Sequence, residues 1–164
     1  MQYVKRLFLD IDGVLNCSST GYSPLGVRDI DEDKLLLLRK IIDATGAKIA
    51  LISSWKDGWY SDPNKKAMQS ETANYLDERF AKHGLKIFAK VPDSDFGGRG
   101  KSIQEYFDFL KTQSKIVTHF AILDDSVSDY AKMKLSDHLV KMSFYKGGLT
   151  KAKAKKVIAI LKEQ

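Results

Sequence analysis

Cysteine is almost absent from this sequence: Cys17 is the only one in 164 residues. No intramolecular disulfide can form, and no thiolate cluster can hold zinc. Nothing base-like in the nearby sequence would activate a lone thiol, so Cys17 reads as a small semi-buried residue. Proline is scarce too, at three residues, and no Pro/Gly/Ser-rich linker, repeat or low-complexity tract interrupts the chain. This favours one continuous domain over 1–164, large enough for a real core and one site. No apolar run approaches the roughly twenty residues that a membrane span needs, so no membrane partner is expected. Met1 to Leu9 is short, mixed in polarity and runs into an acidic strand end, unlike a signal peptide. A cytoplasmic protein is expected. The three histidines, His83, His119 and His138, lack ligand-like spacing and are expected at structural or surface positions.

What is present is positive charge. The formal net charge is +6, and much of the excess lies in Lys151 to Lys162. That points to an anionic ligand or partner, either a phosphate metabolite or a nucleic acid. In the same stretch Val157, Ile158 and Leu161 form an apolar stripe, with lysines on what reads as a solvated face.

Strand-like and helix-like patterns alternate along the chain. Tyr3 to Leu9 is an apolar run ending in Asp10, and Lys48 to Ile52 is another ending in Ser53 and Ser54. Between them, Asp31 is placed to cap a helix carrying Leu35, Leu38, Ile41 and Ile42, which Gly46 ends. A helix from about Asn64 to His83, stopped at Gly84, should lead to a strand at Leu85 to Phe88. Ser102 and Glu105 have capping-box spacing for a helix through Phe109 and Leu110. Phe120 to Leu123 then ends in Asp124 and Asp125. A weaker helix at Tyr130 to Leu135, capped by Asp129, a strand at Leu139 to Met142 and a helix capped by Thr150 complete the order. Such alternation predicts an α/β Rossmann-like three-layer sandwich around a central parallel five-stranded sheet. Ligands bind such sheets at the carboxyl ends of the strands. Polar residues at three strand exits are thus candidates to meet.

The stretch Asp10-Ile11-Asp12-Gly13-Val14 carries the sharpest chemistry. Two carboxylates two apart, followed by a glycine that lets the backbone turn, can enter one pocket. One can attack while the other moves protons. Their repulsion is relieved by a divalent cation, and hard oxygen ligands suit magnesium. Asp124 and Asp125 add acid from a strand expected to lie next to the first.

These four segments in this order resemble the haloacid dehalogenase-like (HAD) hydrolases, over nearly the whole chain. Asp10-Ile11-Asp12-Gly13-Val14 matches the first motif, Ser53 the second, a basic residue before a helix the third, and Asp124-Asp125 the fourth. Leu15-Asn16, Ser53-Ser54-Trp55-Lys56, Ile122 to Asp125 and Gly148-Leu149-Thr150 look like a small branch associated with Swiss-army-knife RNA-repair proteins. The resemblance implies that Asp10 is the nucleophile and forms an aspartyl-phosphate. It implies that Asp12 is the general acid and base. Magnesium would be held by Asp10, the backbone carbonyl of Asp12, and Asp125, with Asp124 sharing that duty or holding a water beside the ion. Ser53 would donate to a phosphoryl oxygen, with Ser54 the one-residue alternative and Gly13 beside the substrate. Register favours Arg99 for the third motif, whereas residue type and nearness to a helix start favour Lys101. Lys56 stands where that branch places an arginine, so a point charge replaces a planar clamp. Trp55 and Trp59 could stack on a base but are expected to pack.

A magnesium-dependent phosphomonoester hydrolase is the leading reading. Its rivals are a non-catalytic nucleic-acid-binding module on the same fold and a general small-molecule phosphatase. A pure binding module needs no nucleophile beside a proton-transfer group. Neither Asn16 to Ala47 nor Lys56 to Gly98 leaves room for a large cap domain, so an open site is expected. An open site admits a phosphorylated substrate as large as an oligonucleotide 3'- or 5'-phosphate end.

Overall fold

The computed structural model describes residues 1–163. Its centre is a five-stranded parallel sheet in the order β3-β2-β1-β4-β5. The strands are β1 (Gln2–Leu9), β2 (Lys48–Leu51), β3 (Ile87–Lys90), β4 (Lys115–Asp124) and β5 (Leu139–Lys141). Alternation along each strand feeds two cores. Leu7, Leu9, Ile49, Leu51, Ala121 and Leu123 face one side, while Phe8, Ala50 and Ile122 face the other. All of these are essentially sealed from water, which is why the strands read as unbroken apolar runs rather than alternating ones.

Helices cover both faces. On the first side lie α1 (Glu32–Thr45), α2 (Glu71–Ala81) and α4 (Lys151–Lys162), which contribute Leu35, Leu38, Leu76, Phe80, Val157 and Leu161. On the second lies α3 (Arg99–Thr112), which contributes Ile103, Tyr106 and Leu110. Full burial of each such side chain contributes about 1.5–3 kcal/mol relative to exposure. The predicted three-layer α/β sandwich is therefore the observed one. No large cap domain interrupts it among the described residues: β1 and α1 are joined by a loop bearing the single bridge Tyr22 to Arg28.

Several boundaries differ from the sequence pattern, each for a local reason. The helix expected over 64–83 is split into a 3-10 segment, Pro63–Met68, and α2. Ser70 accepts a hydrogen bond from the Ala73 amide at 3.1 Å and starts the second helix afresh. The expected strand 85–88 is β3, two residues later, because the Leu85 amide still closes the end of α2 on Phe80 O. Asp31 occupies the cap position of α1, yet its carboxylate bonds Thr20 Oγ1 at 2.8 Å and Lys34 at 3.2 Å instead. Ser102 does not cap α3, which begins at Arg99; the hydroxyl donates back to Gly98 O within the first turn. The expected helix 130–135 is a series of turns, with Lys134 at φ 59°. By contrast, Thr150 caps α4 through the Lys153 amide, as its position predicts.

Candidate active site

The chain reverses its direction of travel across the sheet between β1 and β4, since β2 and β3 lie on one side of β1 and β4 and β5 on the other. A crevice opens at the carboxyl ends of strands flanking such a switch. The parallel register pairs Leu9 with Leu123, which sets Asp10 and Asp124 side by side at that edge. The Asp10 amide continues the ladder by donating to Leu123 O at 2.9 Å. One carboxylate oxygen from each of Asp10, Asp124 and Asp125 lies within 4.8 Å of the other two.

Arg99, at the start of α3, is the cation that answers them. Its Nη1 stands 3.0 Å from Asp10 Oδ2 and 2.8 Å from Asp124 Oδ2. Asp124 is fully buried and further tied by the Tyr130 hydroxyl at 2.5 Å and the Ser126 amide at 2.9 Å. Burial pushes the Tyr130 hydroxyl pKa upward, and the adjacent Asp124 charge adds to it. One guanidinium cannot neutralise three carboxylates. Burial raises the Asp10 pKa to about 7, and Asp124 adds to the rise, while Arg99 opposes it. Asp125 is raised as well, by burial first and then by Asp124. A cluster of oxygen ligands with surplus negative charge fits a hard divalent cation. Gly13 clears the space: at φ 79° it holds a left-handed turn, and a Cβ there would lie 2.2 Å from Asp125 Oδ2.

Asp12 is treated differently. It is exposed, and its carboxylate stands outside the cluster of three. Two neutral donors hold it: Asn16 Nδ2 on Oδ1 at 2.9 Å and Trp55 Nε1 on Oδ2 at 3.1 Å. Asn16 is itself fixed by accepting the Gly13 amide at 2.9 Å. Ser53, 1% exposed, ends β2 with its hydroxyl oxygen accepting the Trp55 amide, while Ser54 is exposed.

The basic residues separate. Arg99 reaches the carboxylates, whereas Lys101 joins this arrangement through its backbone amide, which donates to Asp129 Oδ2 at 3.1 Å. Lys56 is buried and turned to Asp93, 2.6 Å from its Oδ1 at the exit of β3, not to the carboxylate cluster. Asp129 does not cap a helix of its own. Its carboxylate accepts from the amides of Gly98, Gly100 and Lys101, at 3.1, 2.6 and 3.1 Å, and so closes the start of α3. Burial alone would raise its pKa, but those amides draw it below the usual value. The glycines follow from this approach: a Cβ on Gly98 or Gly100 would stand 2.7 or 2.8 Å from Asp129 Oδ1.

Sequence reasoning missed Asn16 and Trp55 as partners of Asp12, Tyr130 as a partner of Asp124, and Asp129 as the cap of α3. Only Gly97-Gly98 and Gly100 hinted that something packs closely there. Trp59 is buried and donates to Asp77 at 3.0 Å, away from these groups. His83 pairs with Glu32, His119 with Thr118, and His138 stacks on Phe120 with centroids 3.8 Å apart, so all three are structural.

The sequence profile of the HAD domain in Swiss Army Knife RNA repair proteins matches residues 6–154. The chain belongs to that family. The match spans all four strand exits just described. A crystal structure described as a HAD-like phosphatase from Mesorhizobium loti shares the fold, with a TM-score of 0.57 at 14% identity. The alignment covers 98% of this chain and 87% of that one. No curated protein sequence matches the chain. This HAD domain carries no described helix long and apolar enough to cross a membrane.

Proposed function

We propose that this HAD domain is a magnesium-dependent phosphomonoester hydrolase working through an aspartyl-phosphate on Asp10. The observation that carries the reading is the contrast in surroundings between two carboxylates two positions apart. Asp10 is buried against Arg99 and two further carboxylates, while Asp12 is held apart by neutral donors. Groups kept in contrasting environments are suited to contrasting roles.

Asp10 attacks phosphorus in line, forming a new P–O bond as the bond to the leaving oxygen breaks. Asp12 gives its proton to that oxygen. In the second step Asp12 takes a proton from water, the water oxygen attacks phosphorus, and the bond to Asp10 breaks to release phosphate. Arg99 holds Asp10 in place and offsets charge on the phosphoryl group. Ser53, whose oxygen already accepts a backbone amide, has its hydroxyl proton to donate to a phosphoryl oxygen. Asp10, the Asp12 carbonyl and Asp125, with Asp124 behind them, would hold magnesium. Its double charge would neutralise the surplus carboxylates and polarise the phosphoryl oxygens.

The finer reading is that the substrates are phosphate ends of oligonucleotides. It is supported by the family's association with RNA repair, the lack of a large cap and the net charge of +6. The lone buried Cys17, without a disulfide, agrees with a cytoplasmic setting. One domain over 1–164 belongs to the same proposal. The test is phosphate release with and without magnesium from a 3'-phosphorylated oligonucleotide and the matching mononucleotide, at low and high salt. The oligonucleotide should be favoured at low salt and lose its advantage as salt rises. Equal, salt-insensitive values would make a general small-molecule phosphatase the better description, and no release from any phosphoester would overturn the hydrolase.

A further inference from the structure

Asp12, outside the carboxylate cluster, lines a cleft of about 470 Å³ shared with Val27, Arg28, Ser54, Trp55, Thr72 and Phe144. The volume lies in the range of small-ligand sites. A group that protonates the leaving oxygen must stand beside the leaving group. The cleft on that side is therefore where the alcohol of the ester is held before it departs.

Its chemistry selects among alcohols. Half-buried Phe144 provides flat apolar surface, buried Trp55 backs the wall, and Val27 and Thr72 add methyl groups. The one cation, Arg28, is locked in place. Its Nη1 donates to the carbonyls of Cys17, Ser18 and Thr20 at 3.3, 3.3 and 2.6 Å, and its guanidinium lies over the rings of Tyr22 and Phe144 at 5.1 and 5.0 Å. Its Nη2 has only a long contact to the Tyr22 hydroxyl, at 3.5 Å, which leaves it free to donate elsewhere. A polyol would waste the rings, and an alkyl or phenyl group would waste the oriented guanidinium and the hydroxyls of Ser54 and Thr72. A heterocyclic base with ring acceptors, carried on a hydroxylated sugar, uses all of them. Outside the cleft, Tyr22 is 70% and Tyr145 84% exposed, and Tyr145 stands edge-on to Phe144 with centroids 5.2 Å apart. The exposed Tyr145 ring, set at 86° to Phe144, offers a second aromatic face beside the cleft for a neighbouring base.

Resting on the hydrolase reading above, we infer that this cleft binds the nucleoside bearing the scissile phosphate, with Phe144 and Arg28 as its specificity-determining residues. The ligand is a nucleoside monophosphate end, whether free or terminating a strand. Comparing kcat/KM for adenosine 3'-monophosphate, its 3'-phosphorylated dinucleotide, methyl phosphate and phosphotyrosine tests this in wild type, Phe144→Leu and the cleft-filling Thr72→Tyr. Both variants should lose at least about fivefold more on the nucleotides than on methyl phosphate, the size of one lost base stack. The dinucleotide should exceed the mononucleotide, and Tyr145→Ala should narrow that gap. Equal losses on all substrates, or phosphotyrosine as the preferred substrate, would overturn the assignment while leaving the hydrolase standing. Calorimetry of adenosine 3'-monophosphate on the Asp10→Asn variant needs no turnover and so separates the cleft from the chemistry. Saturable binding that Phe144→Leu weakens supports the cleft even if hydrolysis fails, and binding unaffected by either cleft substitution rejects it.

Discussion

The two acid pairs of this protein occupy neighbouring strand exits, and it is their second members, Asp125 and Asp12, that are handled differently. At the end of β4 every oxygen of Asp124 is engaged, by Arg99, Tyr130 and the Ser126 amide, and the side chain is fully buried. Its neighbour Asp125 faces the cluster half-exposed. At the end of β1 the order is the same, with Asp10 buried in the cluster and Asp12 exposed, but here the second acid is held outside the cluster by Asn16 and Trp55. Arg99 holds the first acid of each pair, whereas only neutral donors hold Asp12. The difference teaches how the same residue type can be fixed inside a charged cluster at one exit and held apart from it at the next, the contrast on which the proposed roles rest.

Removing the proposed nucleophile tests this contrast most severely. Asp10→Asn should abolish magnesium-dependent phosphate release, a loss expected to exceed about a thousandfold for a covalent nucleophile. The same change should raise stability in metal-free solution. Because the folded-state pKa of Asp10 is raised to about 7, the native protein keeps a proton that the unfolded chain has lost at lower pH. Wild-type stability therefore falls through this group as pH climbs from about 4 to about 7, the range between the two pKa values. Thermal melts in chelator should show Asp10→Asn above wild type by several degrees at pH 8, with little difference near pH 4. A variant melting below wild type at pH 8 would mean that Arg99, not burial, dominates Asp10.

Asp12→Asn should cost about 10²–10⁴-fold on alkyl phosphates and distinctly less on aryl phosphates, whose leaving groups need less protonation. Equal losses on both would remove Asp12 from the role of acid and erase the functional half of the comparison. Magnesium affinity, read by calorimetry, should change less than in Asp125→Asn, since the Asp12 carboxylate lies outside the cluster.

Asp129→Ala attacks the β4 side indirectly. Losing three amide partners at the start of α3 should destabilise the fold by about 1–2 kcal/mol, the usual cost of a lost cap. With Arg99 no longer aimed, kcat should fall roughly tenfold or more. Asp129→Asn should recover part of both. Unchanged kcat in a protein of lowered melting temperature would leave Asp129 a cap and nothing else.

The smallest effect is expected from Trp55→Phe, which keeps the ring in the core and removes only the bond to Asp12 Oδ2. A kcat loss of about threefold to tenfold matches one neutral hydrogen bond of 0.5–1.5 kcal/mol. The alkyl substrates should suffer more than the aryl ones, as for Asp12 itself. A loss in KM alone would mean that Trp55 acts only as a wall of the cleft and not through Asp12.

Local patterning by itself determined the order of the sheet strands along the chain, the helices α1 and α4, and the acid pairs Asp10/Asp12 and Asp124/Asp125 at strand exits. These depend on apolar periodicity and on the polar residues that end each run, which are properties of neighbouring positions. Tertiary structure decided the rest. Arg99 rather than Lys101 meets the carboxylates because Asp129, some thirty positions along, pins the backbone between them. Lys56 turns to Asp93, and Trp55 reaches Asp12 across 43 positions, because β2 lies beside both β1 and β3. Long polar side chains have many rotamers and no periodicity. The partner each one finds is set only by the order in which the strands are laid side by side.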